Sequence, residues 1–98
     1  EVMQALSQGV SLMKFFPAEA AGGVAMLNAL AGPFAEVSFI PTGGIQAKNA
    51  ADYFALPQVL AVGCTWMADR VLMAEQRWEE IEHRVKEMVR LARARGGI

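Results

Sequence analysis

Lys14 is the one charged residue that stands inside an otherwise apolar run of this sequence. The run extends from Ser11 to Phe16 and is closed by Pro17, a pattern that predicts a buried parallel β-strand. Burial removes the hydration of a lysine ammonium and lowers its pKa towards neutrality, and a neutral amine can attack a carbonyl carbon to form a Schiff base. The alternative is that Lys14 lies at the strand end and extends its ammonium into solvent.

Two glycine-containing turns are candidates for binding an anion. Gly43 and Gly44 follow the apolar stretch 37–40, and Gly63-Cys64-Thr65 follows the apolar stretch 59–62. Glycine lets the backbone approach an anion closely, and the N–H groups that open a helix point towards it. A single glycine turn also occurs in many loops, so the prediction of a phosphate site depends on having two such turns at successive strand ends.

Thr42 and Glu19 each have a structural interpretation beside a chemical one. Thr42 either hydrogen-bonds a ligand near the amine or caps the following helix, and capping is the commoner role of an isolated threonine. Glu19 resembles a general base, but it begins a predicted helix, where a carboxylate interacts favourably with the helix dipole. We therefore assign Glu19 a structural role.

These residues lie in a chain whose apolar patterns alternate between helix and strand. The patterns predict strands at 11–16, 37–40 and 59–62 and helices at 1–8, 19–31, 46–55 and 75–93. Continuously apolar strands are expected to be covered on both faces and to be joined by right-handed parallel crossovers. On the residues alone, a small three-layer α/β fold satisfies this order.

Three segments stand in a fixed order and spacing: KFFPAEAAGG at 14–23, LAGPF at 30–34 and PTGGI at 41–45. In this order the chain, from about 12 to 67, resembles the family of class I aldolases that cleave 2-keto-3-deoxy-6-phosphogluconate (KDPG), which also includes 4-hydroxy-2-oxoglutarate (KHG) aldolase. The resemblance implies a (β/α)8 TIM barrel. Residues 1–98 would then be the C-terminal part of a single barrel domain, about strands six to eight, and the N-terminal half of the same barrel would be its partner.

The resemblance also implies roles for individual residues. The family's Schiff-base lysine precedes Phe-Phe-Pro and corresponds to Lys14. The substrate and its phosphate would contact a set of strand-end residues: Thr42, Gly43, Gly44, Gly63 and Thr65. The family commonly has Gly-Gly-Ser-Trp where this chain has Gly63-Cys64-Thr65-Trp66, so Thr65 keeps a hydroxyl and Cys64 adds a side chain. The proton-shuttling glutamate and the groups that bind the pyruvate carboxylate come from early strands of the family and have no match here.

The implied function is a lyase that needs no metal and no cofactor. It would cleave KDPG to pyruvate and glyceraldehyde 3-phosphate in the Entner–Doudoroff branch of carbohydrate metabolism, as a cytoplasmic homotrimer. Alternatives are a relative that acts on KHG or on 2-keto-3-deoxy-6-phosphogalactonate, or a non-catalytic phosphate-binding barrel fragment. Lys14 argues against the non-catalytic alternative. The isolated 98 residues are expected to be inactive.

Composition limits the other classes of function. The chain is 54% hydrophobic and 19% charged with a formal net charge of −1, so neither a nucleic acid nor a membrane surface is an expected partner. The single cysteine excludes an internal disulfide and a cysteine-based zinc site. Asp52, Glu75 and His83 form no metal-ligand grouping, and His83 is expected on the surface of the last helix.

Overall fold

The computed structural model of this chain describes residues 1–95, in which helices alternate with strands. The regular elements, in chain order, are α1 (Val2–Ser7), β1 (Leu12–Phe15), α2 (Gly23–Ala31), β2 (Ser38–Pro41), α3 (Ala47–Phe54), α4 (Arg70–Ala74) and α5 (Trp78–Ala94). A short 3-10 turn, Trp66–Ala68, precedes α4. The predicted α/β class is confirmed, and the last three residues of the predicted domain lie outside the described part.

β1 and β2 form a parallel pair. Leu12 lies opposite Ser38 and Phe15 lies opposite Pro41. Two parallel strands need a crossover connection rather than a hairpin, and α2 lies in the segment that joins them. The sheet of residues 1–95 does not close on itself, so the barrel stays a prediction.

The predicted third strand, 59–62, is only partly confirmed. Val59 bridges to Phe39 and Gly63 bridges to Thr42, both in parallel orientation. Three steps along β2 therefore match four steps along the third segment, and this one extra residue interrupts the ladder as a β-bulge does. The bulge also changes which face each residue occupies: Val59 is buried on the helix side with Phe39, whereas Gly63 lies beside Thr42.

The two faces of β1 have different environments. Met13 and Phe15 pack against the buried core, and the rings of Phe15 and Phe39 meet edge to face with centroids 6.4 Å apart. Leu12 and Lys14 point to the opposite face, where Leu12 is 48% exposed. The predicted alternation along β1 is confirmed, but the prediction that both faces are covered is wrong for this chain.

The core lies between the sheet and the helices. Its buried side chains come from α2, β2, α3, α5 and the segments between elements: Ala18, Leu27, Val37, Phe39, Ile45, Ala50, Tyr53, Phe54, Val59 and Met88. Burial of apolar surface contributes about 25 cal/mol for each Å² removed from water. This layer therefore holds α2, α3 and α5 against one face of the sheet and leaves the strand ends free to carry loops.

α2 begins four residues later than predicted, at Gly23 rather than Glu19. The N–H groups of Ala18 and Glu19 do not serve a helix, because they donate to the carbonyls of Thr42 and Gly43 in the loop after β2. The Gly23 N–H then closes the turn by donating to Ala18 O over 2.8 Å. Glu19 therefore lies in a loop that is bound to a neighbouring loop, and the helix-dipole argument for it is wrong.

The predicted last helix, 75–93, begins three residues later than predicted and is preceded by a separate short helix. α5 begins at Trp78, and α4, which the apolar pattern did not predict, has the Asp69 carboxylate as its N-cap, 2.9 Å from Leu72 N. Gln76 between the helices has a positive φ of 55°. A left-handed residue cannot continue an α-helix, which explains the break.

Arg84 on α5 is largely covered, with 21% of its side chain exposed. Its guanidinium lies 4.8 Å from the centroid of the Trp66 ring, and Nη1 donates to Trp66 O over 2.7 Å. Nη1 also lies 3.4 Å from the Asp69 carboxylate, and Nε donates to Glu80 over 3.1 Å. Arg84 therefore attaches α5 to the segment that follows the glycine turn at Gly63.

Candidate active site

Lys14 lies on the exposed face of the sheet, one residue before the end of β1. It is paired in register with Ile40, and its ammonium nitrogen lies 5.3 Å from the centroid of the Phe16 ring. Phe16 itself is 64% exposed. The predicted burial of Lys14 is wrong for this chain, because β1 is an edge strand and none of the described residues covers its outer face.

Thr42 lies on the same face as Lys14. It follows Ile40, the partner of Lys14, by two positions, and alternate residues of a strand share a face. Its N–H donates to Phe15 O over 2.9 Å. A Cβ built on Gly63 would lie 2.7 Å from the Thr42 hydroxyl oxygen, so only glycine at 63 allows the two strand ends to approach this closely.

Thr42 does not cap α3, and that interpretation of its role is wrong. The helix begins after Gln46, whose N–H donates to the Asn49 side-chain oxygen over 2.8 Å. The cap therefore lies four residues beyond Thr42, and the hydroxyl of Thr42 is left for a role on the sheet face. The same boundary corrects a second expectation, since Gly43 and Gly44 precede the helix rather than open it.

The loop after β2 has three successive carbonyls that are held by neighbouring segments. Thr42 O accepts from Ala18 N–H (2.8 Å), Gly43 O accepts from Glu19 N–H (3.1 Å) and Gly44 O accepts from Asn49 Nδ2 (3.0 Å). A trans peptide is planar and its N–H points opposite to its carbonyl. The N–H groups of Gly43, Gly44 and Ile45 are therefore turned away from those three donors.

The N–H groups of Gly44 and Ile45 have no acceptor within residues 1–95, whereas the Gly43 N–H faces the Gly63 carbonyl in the parallel bridge between Thr42 and Gly63. Oriented N–H groups without a protein partner attract anions. The predicted anion-binding turn thus has donors in place, although they belong to a held loop and not to the helix terminus that the sequence suggested.

The two glycines of this loop are also required by packing. Gly43 has a φ of 114°, and a Cβ there would lie 3.0 Å from both Ala18 N and Pro17 Cα. Gly44 has a φ of 76°, and a Cβ there would lie 2.7 Å from Glu19 Cγ. Positive φ and close approach both favour glycine, so this pair has a structural reason that is independent of any ligand.

The second turn presents a hydroxyl group. Thr65 is exposed and precedes the 3-10 turn without a side-chain capping hydrogen bond. Cys64 packs against the hydrophobic core, so its additional side chain does not occupy the sheet face. The bridge between Thr42 and Gly63 brings this turn next to the first one.

A contact that the sequence did not predict joins Glu19 to Tyr53. Tyr53 is fully buried, and its hydroxyl donates to the Glu19 carboxylate. Burial raises the pKa of Tyr53 well above its ordinary value, and the hydrogen bond and charge of Glu19 raise it further. Tyr53 therefore remains a protonated donor at neutral pH, and the structural role assigned to Glu19 has a definite partner.

Residues 1–95 contain no group of three or more His, Cys, Asp or Glu side chains arranged to hold a metal ion. Within that range no helix is both long and apolar enough to cross a membrane.

Comparison with known proteins assigns the family. Residues 1–84 match the model of the aldolase family described as KDPG and KHG aldolase. The chain belongs to the KDPG and KHG aldolase family.

Relatives with known names and structures agree with this assignment. A 2-dehydro-3-deoxy-phosphogluconate aldolase of Haemophilus influenzae is 46% identical over 85 residues, which is 87% of this chain and 40% of the relative. KDPG aldolase of Legionella pneumophila, solved with pyruvate as a covalent carbinolamine intermediate, superposes with a TM-score of 0.77 at 44% identity over 82% of this chain and 39% of its own. The aldolase of Zymomonas mobilis, solved with 3-phosphoglycerate, gives 0.68 at 37% identity over 82% of this chain and 40% of its own. This chain spans about 40% of the length of the Haemophilus relative.

The raised pKa of Tyr53 predicts a specific loss of stability in alkali. The folded protein keeps a proton that the unfolded chain releases near the ordinary value of 10.0. Tyr53 therefore makes its full contribution to the free energy of unfolding below pH 10.0. Above that pH the contribution decreases by up to about 1.4 kcal/mol per pH unit.

Denaturant unfolding of a protein that carries this chain, with Tyr53 and with Tyr53→Phe, measures this difference at about pH 9 and about pH 11, on either side of the ordinary tyrosine pKa. The gap in unfolding free energy between the two proteins should narrow as pH rises. A gap that stays constant would contradict the raised pKa.

Proposed function

We propose that this chain supplies the part of a class I aldolase that carries its nucleophile, with residues 1–98 as about strands six to eight of a single (β/α)8 barrel. The observation that carries the proposal is that Lys14 shares one sheet face with Thr42, at the strand ends where the N–H groups of Gly44 and Ile45 have no acceptor among the described residues. Active sites of such barrels lie at the carboxyl ends of the strands.

The proposed reaction begins with Lys14. Its neutral amine adds to the 2-keto carbon of KDPG, and loss of water gives an iminium ion. As a base takes the proton of the C4 hydroxyl, the C3–C4 bond breaks, its electron pair moves to the iminium, and glyceraldehyde 3-phosphate leaves an enamine behind. Protonation of the enamine at C3 and hydrolysis of the resulting iminium then release pyruvate and return Lys14. The covalent carbinolamine with pyruvate in the Legionella relative supports this chemistry.

Completion of the barrel would cover the exposed sheet face around Lys14 and would supply the proton-shuttling carboxylate. Leu12 and Phe16 beside Lys14 are 48% and 64% exposed, and the proposed N-terminal half of the barrel would cover them. Removal of water from an ammonium favours the neutral amine. The proton-shuttling carboxylate would come from the same half, since the residues described here offer Glu19 only in a contact with Tyr53.

The substrate phosphate is proposed to bind across the two strand-end turns. The N–H groups of Gly44 and Ile45 would donate to its oxygens, and the Thr65 hydroxyl would donate from the second turn. Gly43 and Gly63 would allow the loops to approach, with Thr42 between them. The 3-phosphoglycerate in the Zymomonas relative supports an anion of this kind. The whole protein as a cytoplasmic homotrimer rests on the family resemblance alone.

A second candidate substrate is KHG, which the family description names. Its distal carboxylate is also an anion and would meet the same donors. A phosphorylated substrate is favoured, because a phosphate offers three oxygens at one position and can accept from the Gly44 N–H, the Ile45 N–H and the Thr65 hydroxyl together.

Lys14→Arg in the complete enzyme should abolish aldol cleavage and leave the fold intact. Arginine keeps the positive charge but neither deprotonates near neutral pH nor forms an imine. A coupled assay for pyruvate release measures the loss, and Lys48→Arg on α3 is the matched control that should retain activity. Substantial cleavage by a folded Lys14→Arg variant would exclude Lys14 as the nucleophile.

Thr65→Ala should raise KM for the phosphorylated substrate by about tenfold or more, the effect of losing one hydrogen bond to a charged group. KM for a phosphate-free analogue should change little, and Thr65→Ser, which keeps the hydroxyl, should resemble the unmodified enzyme. Thr65→Ala is a cleaner test than Gly44→Ala, because a Cβ at 44 would also displace Glu19. Equal effects on both substrates would show that Thr65 shapes the loop and does not bind phosphate.

The 98 residues expressed alone should not be an active aldolase. β1 and the segment 59–63 are open sheet edges in this chain, and open edges favour pairing with other chains. Absence of the general acid–base group alone is typically worth about 10² to 10⁴ in rate. Mixing with the separately expressed remainder of the protein should restore cleavage; full activity of the 98 residues as a monomer would contradict the proposal.

A further inference from the structure

One face of α3 supports the proposed anion site. Asn49 and Tyr53 are four residues apart on this helix and therefore lie on the same side of it. Neither residue belongs to the strand-end turns. Asn49 nevertheless bonds to the loop after β2. Tyr53 bonds to Glu19 in the loop after β1, and that loop is in turn bound to the loop after β2.

Asn49 uses both ends of its amide. The side-chain oxygen accepts from Gln46 N–H over 2.8 Å, and the side-chain nitrogen donates to Gly44 O over 3.0 Å. Because the oxygen is fixed by the helix start, the orientation of the amide is set, and the nitrogen must point at the loop. The peptide that follows Gly44 is thereby held in one plane.

Tyr53 acts on the same loop through Glu19. Its hydroxyl donates to the Glu19 carboxylate, and the Glu19 backbone N–H donates to Gly43 O over 3.1 Å. The methylene groups of the Glu19 side chain lie directly against Gly44, since a Cβ on Gly44 would be 2.7 Å from Glu19 Cγ. Fixing the Glu19 side chain therefore limits movement of the Gly44 backbone.

We propose that Asn49 and Tyr53 are positioning residues that set the preference of this enzyme for a phosphorylated over a phosphate-free substrate. They touch no substrate atom. They hold the carbonyls of Gly43 and Gly44, directly or through Glu19, so that the N–H groups of the loop stay turned towards the anion. This inference rests on the proposed function, because it requires the phosphate to bind at that loop.

The physical basis is preorganisation of donors. N–H groups that already point at an anion lose no orientational freedom when it binds, whereas a loose loop must be ordered by the ligand. Removal of the polar group of Asn49 or Tyr53 should therefore weaken the binding of phosphate. The reaction at Lys14, which lies on β1, should be affected less.

The test uses the complete enzyme with Tyr53→Phe and Asn49→Ala. The readouts are the ratio of kcat/KM for the phosphorylated substrate to that for a phosphate-free 2-keto acid, and inhibition by inorganic phosphate. Each variant should lower the ratio by about five- to tenfold and weaken phosphate inhibition to a similar extent, which corresponds to one hydrogen bond. A purely structural role would lower both kcat/KM values by the same factor.

Matched variants separate positioning from general damage. Glu19→Gln keeps an acceptor for the Tyr53 hydroxyl and should keep the ratio, whereas Glu19→Ala should behave as Tyr53→Phe does. Ser7→Ala removes a hydroxyl that bonds only within α1, and Asn28→Ala removes an exposed amide from α2; both should leave the ratio unchanged.

The outcomes distinguish this inference from the proposed function. If the unmodified enzyme shows neither a preference for the phosphorylated substrate nor inhibition by phosphate, the phosphate site itself is wrong. If it shows both, and folded Tyr53→Phe and Asn49→Ala keep the ratio, only the positioning role is overturned. Should Tyr53→Phe fail to fold, Asn49→Ala and Glu19→Ala decide the question by the same ratio.

Discussion

The close approach of two strand-end loops is the constraint on which the rest of this site depends. The N–H groups of Ala18 and Glu19 donate to the carbonyls of Thr42 and Gly43, and the space for this contact exists because Gly43 has no side chain. Because of this contact, Ala18 and Glu19 lie in a loop and not in helix α2. The same contact fixes the peptide planes of the loop after β2. The same hydrogen bonds that hold the fold at this edge therefore also orient the donors proposed to bind phosphate.

The two faces of the sheet have different roles, and Lys14 lies on the face that is not part of the core. Phe39 is buried on the helix side, and the partly buried Met13 and Phe15 pack against the same core and hold β1 in place. The opposite face carries the amine and stays open to solvent in this chain. A lysine can be tolerated in so apolar a strand because its face is not part of this core, and the account assigns its desolvation to the remaining part of a longer protein.

Local patterns predicted most elements, and non-local contacts explain the errors. Alternation along β1 was readable, since it depends only on the order of residues. The bulge between Val59 and Gly63 could not be predicted in this way. The mismatch of three residues against four appears only when the segment from Phe39 to Thr42 is paired with the segment from Val59 to Gly63. For Thr42 the sequence leaves capping open beside ligand binding, because nothing in its own neighbourhood shows that Asn49 fixes the helix start at Gln46. The hydrogen bond between Glu19 and Tyr53 joins the loop after β1 to α3, and neither segment alone predicts it.

The central claim is that Lys14 forms a covalent bond to the keto acid, and trapping of that bond tests it most directly. The complete protein would be incubated with pyruvate and sodium borohydride, which reduces an imine to a stable amine, and its peptides mapped by mass spectrometry. The account predicts one reduced pyruvate on the peptide that contains Lys14 and none after Lys14→Arg. An adduct on Lys48 or Lys86 instead, or no adduct under conditions where the enzyme is active, would contradict it.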